Sequence, residues 1–345
     1  MSESKPVAIV PRENAERLRM HLRSEGLLDP ARKITSRNGE VVMPILSRML
    51  ANVKEFGARV SYDEHPVVRE TKPDPYESIA AVVDIEPGLK PQLPRKWEKI
   101  GDVLVLRLPD GLAAHREKVA KAYAEVLGAK AVLLDVRGIE GEWRLPRVEK
   151  IWGGDTETVH LEGGVRFKLD PAKVMFSSGN LPERIRMGHA SRAGETVVDM
   201  FAGIGYFTIP MAVHSRPDRI YACEVNPTAF HYLEENCRIN RAVNVTPMLG
   251  DCRETAPEGV ADRVIMGYLR AQEFLPKALK VLKGEGVLHY HEACPNELID
   301  TRPLATVSAA ASGAGLDVEL LRHHRLKSYA PGVSHVVLDV KVSRR

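Results

Sequence analysis

Cysteine is scarce: four residues of 345, Cys223, Cys237, Cys252 and Cys294, with no CxxC pair among them. That spacing indicates neither a thiolate zinc site nor a thioredoxin-like centre, and no metal is expected. A reducing, cytoplasmic compartment is the simpler expectation. No apolar stretch opens the chain as a signal sequence would, and none approaches the length of a membrane span. There is no internal repeat and no long low-complexity tract. A strong excess of one charge is also missing, the formal net charge being +3. The mild positive bias sits in residues 94–192, which suits a phosphate-facing surface and equally a mixed, solvated one. Hydrophobic content of 44% and charged content of 28% are ordinary for a globular chain. The length implies two or three domains.

What is present is organised around Thr196–Glu224. Thr196–Met200 reads as a buried parallel strand carrying Asp199, followed by the turn Phe201-Ala202-Gly203-Ile204-Gly205. An apolar helix spans roughly Tyr206–His214, and a second strand, Arg219–Cys223, leads into Glu224. Ligands of open parallel sheets bind at the carboxyl ends of the strands. Glycine there lets the backbone come close, and a carboxylate at the second strand tip can accept both hydroxyls of a ribose. The third glycine of the GxGxxG fingerprint is absent, so the glycines alone decide little. The acids after strands one and two, and Asp251-Cys252 after strand three, carry more weight than an ordinary βαβ turn would require.

Taken in order, residues 1–46 read as a small α/β module. It has a strand at Val7–Val10, an amphipathic helix at Glu13–Glu25 with Leu18 and Leu22 one turn apart, and an Asn38-Gly39 hairpin signal. Such a module is too small for a catalytic cleft and suits a binding appendage. Residues 47–93, punctuated by proline, read as an extended linker. Residues 94–192 read as a second α/β domain. Residues 193–345 carry the doubly wound pattern, with strands at Val245–Leu249, Asp262–Met266 and Gly286–His291 and a final antiparallel pair. Asn226-Pro227 is placed to cap the helix that follows Glu224.

Several constellations carry chemistry. The carboxylate of Asp251 can accept from an adenine amine while the next backbone N–H donates to the ring; an ordinary loop start would look the same. Ser177, Glu183, Arg184 and Arg186 stand just before the doubly wound part. An arginine there can pair with a carboxylate in two-pronged fashion, and a solvated helix start would also use these residues. Gly267-Tyr268-Leu269 follows strand four, where an acceptor for a target nitrogen is absent and extra space is expected instead. His289 and His291 share one strand face, as core residues or as part of an active site.

The stretch DMFAGIGYFTIPMA, with Glu224, Asp251-Cys252, FSSGNLPERIRM, MGYL and LHYHE, resembles the archaeal wybutosine-synthesizing aminocarboxypropyltransferases of the tRNA (guanine-37-N1)-methyltransferase superfamily. The resemblance covers about residues 94–345; AERLRMHLRSEGLLD resembles the tRNA-elbow-binding domain of the methyltransferase branch. It implies a class I, Rossmann-like S-adenosylmethionine (SAM) domain preceded by smaller α/β RNA-binding domains. It implies transfer of the 3-amino-3-carboxypropyl group of SAM to C7 of 4-demethylwyosine, 3′ to the anticodon of phenylalanine tRNA. Ser177, Arg184, Glu224, Asp251 and Cys252 are then expected to contact SAM, with Arg184 on its carboxylate, while Asp199 and Gly203 shape the pocket. Glu183 is the expected proton acceptor by analogy with the methyltransferase branch, and Tyr268 and His291 complete the candidate catalytic set. Arg144, Arg147, Lys150, Arg166 and Lys168 are the expected RNA-facing cations. Guanine N1-methylation and a non-catalytic SAM-binding RNA module are the competing readings.

Overall fold

Alternating apolar residues and a two-residue turn build the first sheet. The computed structural model describes residues 5–46, 53–69, 73–141 and 143–345, which fall into two compact units, Met1–Ser78 and Ile79–Arg345. In the first unit β1 (Lys5–Pro11) is followed by α1 (Ala15–Ser24), β2 (Thr35–Arg37), β3 (Glu40–Pro44) and β4 (Arg59–Asp63). The antiparallel order is β2-β3-β1-β4. Asn38 and Gly39 take φ of 52° and 81°, as a type I′ hairpin turn requires. Leu18 and Leu22 of α1 pack with Ala8, Val10, Met43 and Ile45.

The extended linker expected at 47–93 is corrected by β4, which pairs with β1 from Lys5↔Asp63 to Ile9↔Arg59. Residues 47–52 and 70–72 of that segment lie outside the described residues. Two of its five prolines start helical turns rather than extend the chain. Pro75 opens α2 (Pro75–Val82) and Pro87 opens a 3₁₀ turn, where a missing N–H costs nothing.

In the second unit β5 (Glu98–Ile100), β6 (Val103–Leu106), α3 (Arg116–Leu127), β7 (Ala131–Glu140) and β8 (Leu145–Gly153) form a four-stranded sheet with its helix. The hairpin β9 (Thr158–Glu162) and β10 (Val165–Leu169) precedes α4 (Leu181–Gly188). Then come β11 (Thr196–Asp199), α5 (Thr208–His214), β12 (Arg219–Glu224), α6 (Pro227–Asn240), β13 (Val245–Leu249) and the short α7 (Cys252–Thr255). β14 (Ala261–Met266), α8 (Leu275–Val281), β15 (Leu282–Pro295), α9 (Arg302–Gly313), β16 (Leu316–Ala330) and β17 (Val333–Arg344) complete it. The seven-stranded order is β13-β12-β11-β14-β15-β17-β16, with β17 antiparallel to β15. The order reverses between β11 and β14, and the carboxyl ends of those two strands open the crevice.

The boundary expected at 192/193 does not appear in the packing. Val165, Phe167 and Leu169 of β10 and Met187 of α4 share one core with Val197 of β11 and Ile209 of α5. Asn236 of α6, fully buried, staples these parts together. Its Oδ1 accepts from the Lys168 N–H at 2.6 Å and its Nδ2 donates to the Ile204 carbonyl at 2.9 Å. Replacing it with leucine would strand a buried donor and a buried acceptor. Asn236→Leu should cost about 2–4 kcal/mol, seen as a lower Tm; an unchanged Tm would show that the staple carries no stability.

Candidate functional site

At the crevice lies a cavity of about 850 Å³. Of the candidates, Ser177, Gly203, Glu224, Asp251, Cys252 and Tyr268 line it; Glu183, Arg184, Asp199 and His291 do not.

The turn after β11 is fixed by two acids. Asp199 is fully buried, accepting from the Phe201 N–H at 3.2 Å and the Thr208 hydroxyl at 2.8 Å. Burial pushes its carboxyl up to about 6. Glu224 reaches back across the turn, its Oε2 accepting from the Gly203 N–H at 2.7 Å and its Oε1 from the Asn226 N–H at 2.8 Å. Burial raises its carboxyl against those bonds. Gly203 sits at φ 59°, and a Cβ there would stand 2.6 Å from the Tyr206 ring. Each Glu224 oxygen keeps a further lone pair for a hydroxyl of a ligand. Asn226 caps α6 as expected, accepting from the Thr228 N–H at 2.9 Å.

Asp251 caps α7 and is held by Arg253, whose guanidinium lies 4.9 Å over the Phe274 ring. That pairing keeps the Asp251 carboxyl below its ordinary value. Cys252 begins α7, so its N–H has no partner within the helix. Burial pushes its thiol up to about 12, which leaves it an inert, neutral group. Tyr268 stacks on Phe201 at 5.2 Å, and Phe274 meets Phe201 edge-on at 5.0 Å. The three rings give the cavity an aromatic wall on which a planar base can stack.

The other end is polar. The Ser177 hydroxyl accepts from Lys327 Nζ at 2.8 Å, and both residues line the cavity. The expectation that Arg184 meets a ligand carboxylate directly is not met by its position. Its side chain is 2% exposed and paired with Glu162. It donates to the Ser177 carbonyl at 2.8 Å and lies 4.8 Å over the Phe176 ring. An arginine already satisfied by a buried acid holds the Ser177 loop; the cation that meets the Ser177 hydroxyl and lines the cavity is Lys327. Burial, then the neighbouring Arg184 and Arg144, lower the Lys327 ammonium from its ordinary value.

Glu183 is likewise turned away from the cavity. It accepts from Arg186 at 2.6 and 2.9 Å and faces His324 Nε2 at 3.1 Å. Burial raises its carboxyl, but His324 and Arg186 outweigh this and hold it well below the usual range. His291 is buried behind His335, its Nδ1 3.0 Å from His335 Nε2. His289 is a core residue: its Nδ1 faces Asp339 and its Nε2 faces Arg263 at 2.7 Å. Gly267 lines the cavity as expected, and Phe207 packs close beside it, its ring 2.8 Å from where a Cβ would stand. Phe207 in turn packs on His291, with centroids 5.4 Å apart.

Lys327 and His335 line the cavity and were not read as site residues from the sequence; Arg144, expected as an RNA-facing cation, lines it too. Lys327 and His335 lie on the final antiparallel pair, where only the sheet pairing reveals that Lys327 stands opposite His335. Nor do the expected RNA-facing cations form one free patch. Lys168 pairs with Glu157 and Glu235, Arg166 bonds the Ile239 carbonyl, and Arg144 points to Met175. Among the described residues no helix is long and apolar enough to cross a membrane, and no group of three or more His, Cys, Asp or Glu is placed to hold a metal.

The Glu162–Arg184 pair sets a pH dependence. Burial raises the Glu162 carboxyl, but His160 and Arg184 bring it down to about 2 from 4.5. Its contribution to stability is therefore present above pH 4.5 and lost as pH falls toward 2. Glu162→Gln should lower the Tm at neutral pH, and the gap from the native protein should narrow between about pH 5 and about pH 3. A gap that stays constant over that range would contradict the pairing.

Known proteins are similar to this chain along most of its length. A family model described as the TRM5/TYW2 methyltransferase domain matches residues 158–320. Models for a TYW2 N-terminal domain and a tRNA methyltransferase 5 N-terminal domain match residues 81–156 and 9–49. A tRNA(Phe) (4-demethylwyosine(37)-C(7)) aminocarboxypropyltransferase from Methanocaldococcus jannaschii is 46% identical over 72% of this chain and 98% of its own length. The tRNA (guanine(37)-N(1))-methyltransferase Trm5b of Pyrococcus abyssi is 35% identical over 97% of this chain and 98% of its own. The crystal structure of M. jannaschii TYW2 in complex with AdoMet superposes with a TM-score of 0.61 at 41% identity, over 72% of this chain and 100% of that one. On these matches the chain belongs to the TRM5/TYW2 family, within its aminocarboxypropyltransferase branch.

Proposed function

We infer that the cavity takes SAM as co-substrate and that the protein transfers the 3-amino-3-carboxypropyl group to C7 of 4-demethylwyosine at position 37 of tRNA(Phe), releasing methylthioadenosine. The carrying observation is a cavity with two unlike ends. One end has Glu224 and the Asp251–Cys252 turn; the other has Ser177 and Lys327. Glu224 accepts from the ribose hydroxyls, the Asp251 carboxylate takes the adenine amine, and the Cys252 N–H meets the ring. Asp199 and Gly203 shape the turn between them. Lys327 and Ser177 hold the carboxylate of the amino acid arm, and Arg184 keeps Ser177 in place. The aromatic wall of Tyr268, Phe201 and Phe274 stacks a base. When bound, the sulfonium offers three activated carbons, and the one in line with the nucleophile is displaced. Fixing the carboxylate at the Lys327 end is how this chain selects the γ-carbon over the methyl group.

The partner is tRNA, engaged at its anticodon region, with the N-terminal module as an RNA-binding appendage and residues 94–192 contributing further contacts. A cytoplasmic setting suits four unbridged cysteines. The similarity to Trm5b reaches the N-terminal unit, which keeps guanine N1-methylation as the second reading. The products separate them. With SAM and two tRNAs, one bearing 4-demethylwyosine and one bearing unmodified guanosine at position 37, the expected products by mass are methylthioadenosine and an aminocarboxypropyl adduct on the tricyclic base. Adenosylhomocysteine with N1-methylguanosine would overturn the reading. Lys327→Met should weaken SAM about 10-fold to 100-fold while leaving methylthioadenosine, which lacks the carboxylate, unchanged; equal losses for both ligands would contradict the assigned role of Lys327.

A further inference from the structure

The geometry points to His335 as the catalytic base that takes the proton from C7 of the substrate base, with His291 and Glu183 as the positioning residues that keep its Nδ1 unprotonated. This inference rests on the transfer reading above. His335 is the histidine that lines the cavity among the described residues. Its Nε2 lies 3.0 Å from His291 Nδ1, so the nitrogen left to face the cavity is Nδ1. His291 Nε2 has no hydrogen-bond partner and lies 3.9 Å from Glu183 Oε1, with both side chains about 1% exposed.

The order of protons along this row follows from its far end. A buried carboxylate favours a proton on the nitrogen that faces it, so His291 carries its proton on Nε2. Its Nδ1 is then an acceptor. His335 must donate to it from Nε2, and His335 Nδ1 is left with a bare lone pair. Glu183 thus acts on the cavity from two residues away, without touching a ligand. The other charged neighbours agree. Burial is the largest cause; Lys327, His324 and Arg144 also disfavour a positive charge on His335, outweighing the opposing pull of Glu183, and the imidazole comes down to about 4. His335 is therefore neutral at neutral pH. The protonated adduct it must serve is a strong carbon acid, for which a weak base is sufficient.

The step balances. C7 of the base forms a bond to the γ-carbon as the γ-carbon–sulfur bond breaks, its electron pair leaving on sulfur as a neutral thioether. The C7–H pair then returns to the ring, restoring aromaticity, as the proton passes to His335 Nδ1. The imidazolium so formed shares its Nε2 proton with His291, in front of the Glu183 carboxylate.

Two measurements test this. In the protein without ligand, ¹⁵N shifts of the histidine rings should show His335 as the Nε2–H tautomer. An Nδ1–H tautomer would overturn the proposal whatever the activity. Single-turnover transfer by His335→Ala should fall about 100-fold or more, with SAM affinity unchanged and partial rescue by added imidazole. Substrate deuterated at C7 should then show a primary isotope effect in His335→Ala that the native protein lacks. Native-like turnover by His335→Ala would reject His335 as base while leaving the transfer reading intact. Absence of the adduct with the native protein would reject the transfer reading itself.

Discussion

The site depends on how Arg186 is held. Its guanidinium donates to Glu183 on its own helix and to Asp339 of β17, which binds α4 to the far side of the main sheet. Asp339 in turn receives His289, His289 receives Arg263, and Arg263 pairs with Glu195. His289 is thereby fixed in one neutral form, donating from Nδ1 and accepting at Nε2. Burial alone would raise Asp339, but His289 and Arg186 hold it well below its ordinary value. Removing one partner from such a buried row leaves a charge without compensation, which costs about 3–5 kcal/mol. Structure and function share this constraint, because the same Glu183 carboxylate that anchors Arg186 also faces His291.

A second buried pair does the same work on the cavity's polar end. Glu162 satisfies Arg184, Arg184 holds the Ser177 carbonyl, and Ser177 presents its hydroxyl to Lys327. In the proposed reading carboxylate binding falls to a lysine on β16, and the arginine before the first strand of the doubly wound part supports it from behind. In this arrangement the hydrogen bond a ligand carboxylate would replace at Lys327 is that to a serine hydroxyl. Had Arg184 been the ligand group, it would first have had to leave a buried acid, at a cost that a single new pair scarcely offsets.

The doubly wound pattern was legible because periodicity and turn chemistry are local. The strands after Thr196, the Asn226 cap and the Asn38-Gly39 hairpin all fall where the residues place them. The acids at strand tips were legible for the same reason, since a parallel sheet leaves few places for them. What was hidden depends on pairs distant in sequence. Glu162 lies 22 residues before Arg184, and Asp339 lies 153 residues after Arg186. No local pattern shows which cation is already satisfied. Gly267 was legible only in part: it lines the cavity, but Phe207 of the loop before α5 takes some of the room its absent side chain leaves. Lys327 and His335 look like ordinary strand residues until β16 and β17 are paired.

The claim that the chain selects the γ-carbon by anchoring the carboxylate is tested most directly by a structure of the protein with SAM bound. The account predicts a carboxylate oxygen within about 3 Å of Lys327 Nζ, a charge-assisted hydrogen bond, with Arg184 still on Glu162 and the γ-carbon facing the aromatic wall. A carboxylate bound elsewhere, with Lys327 still on Ser177 and the methyl group facing Tyr268, would contradict it.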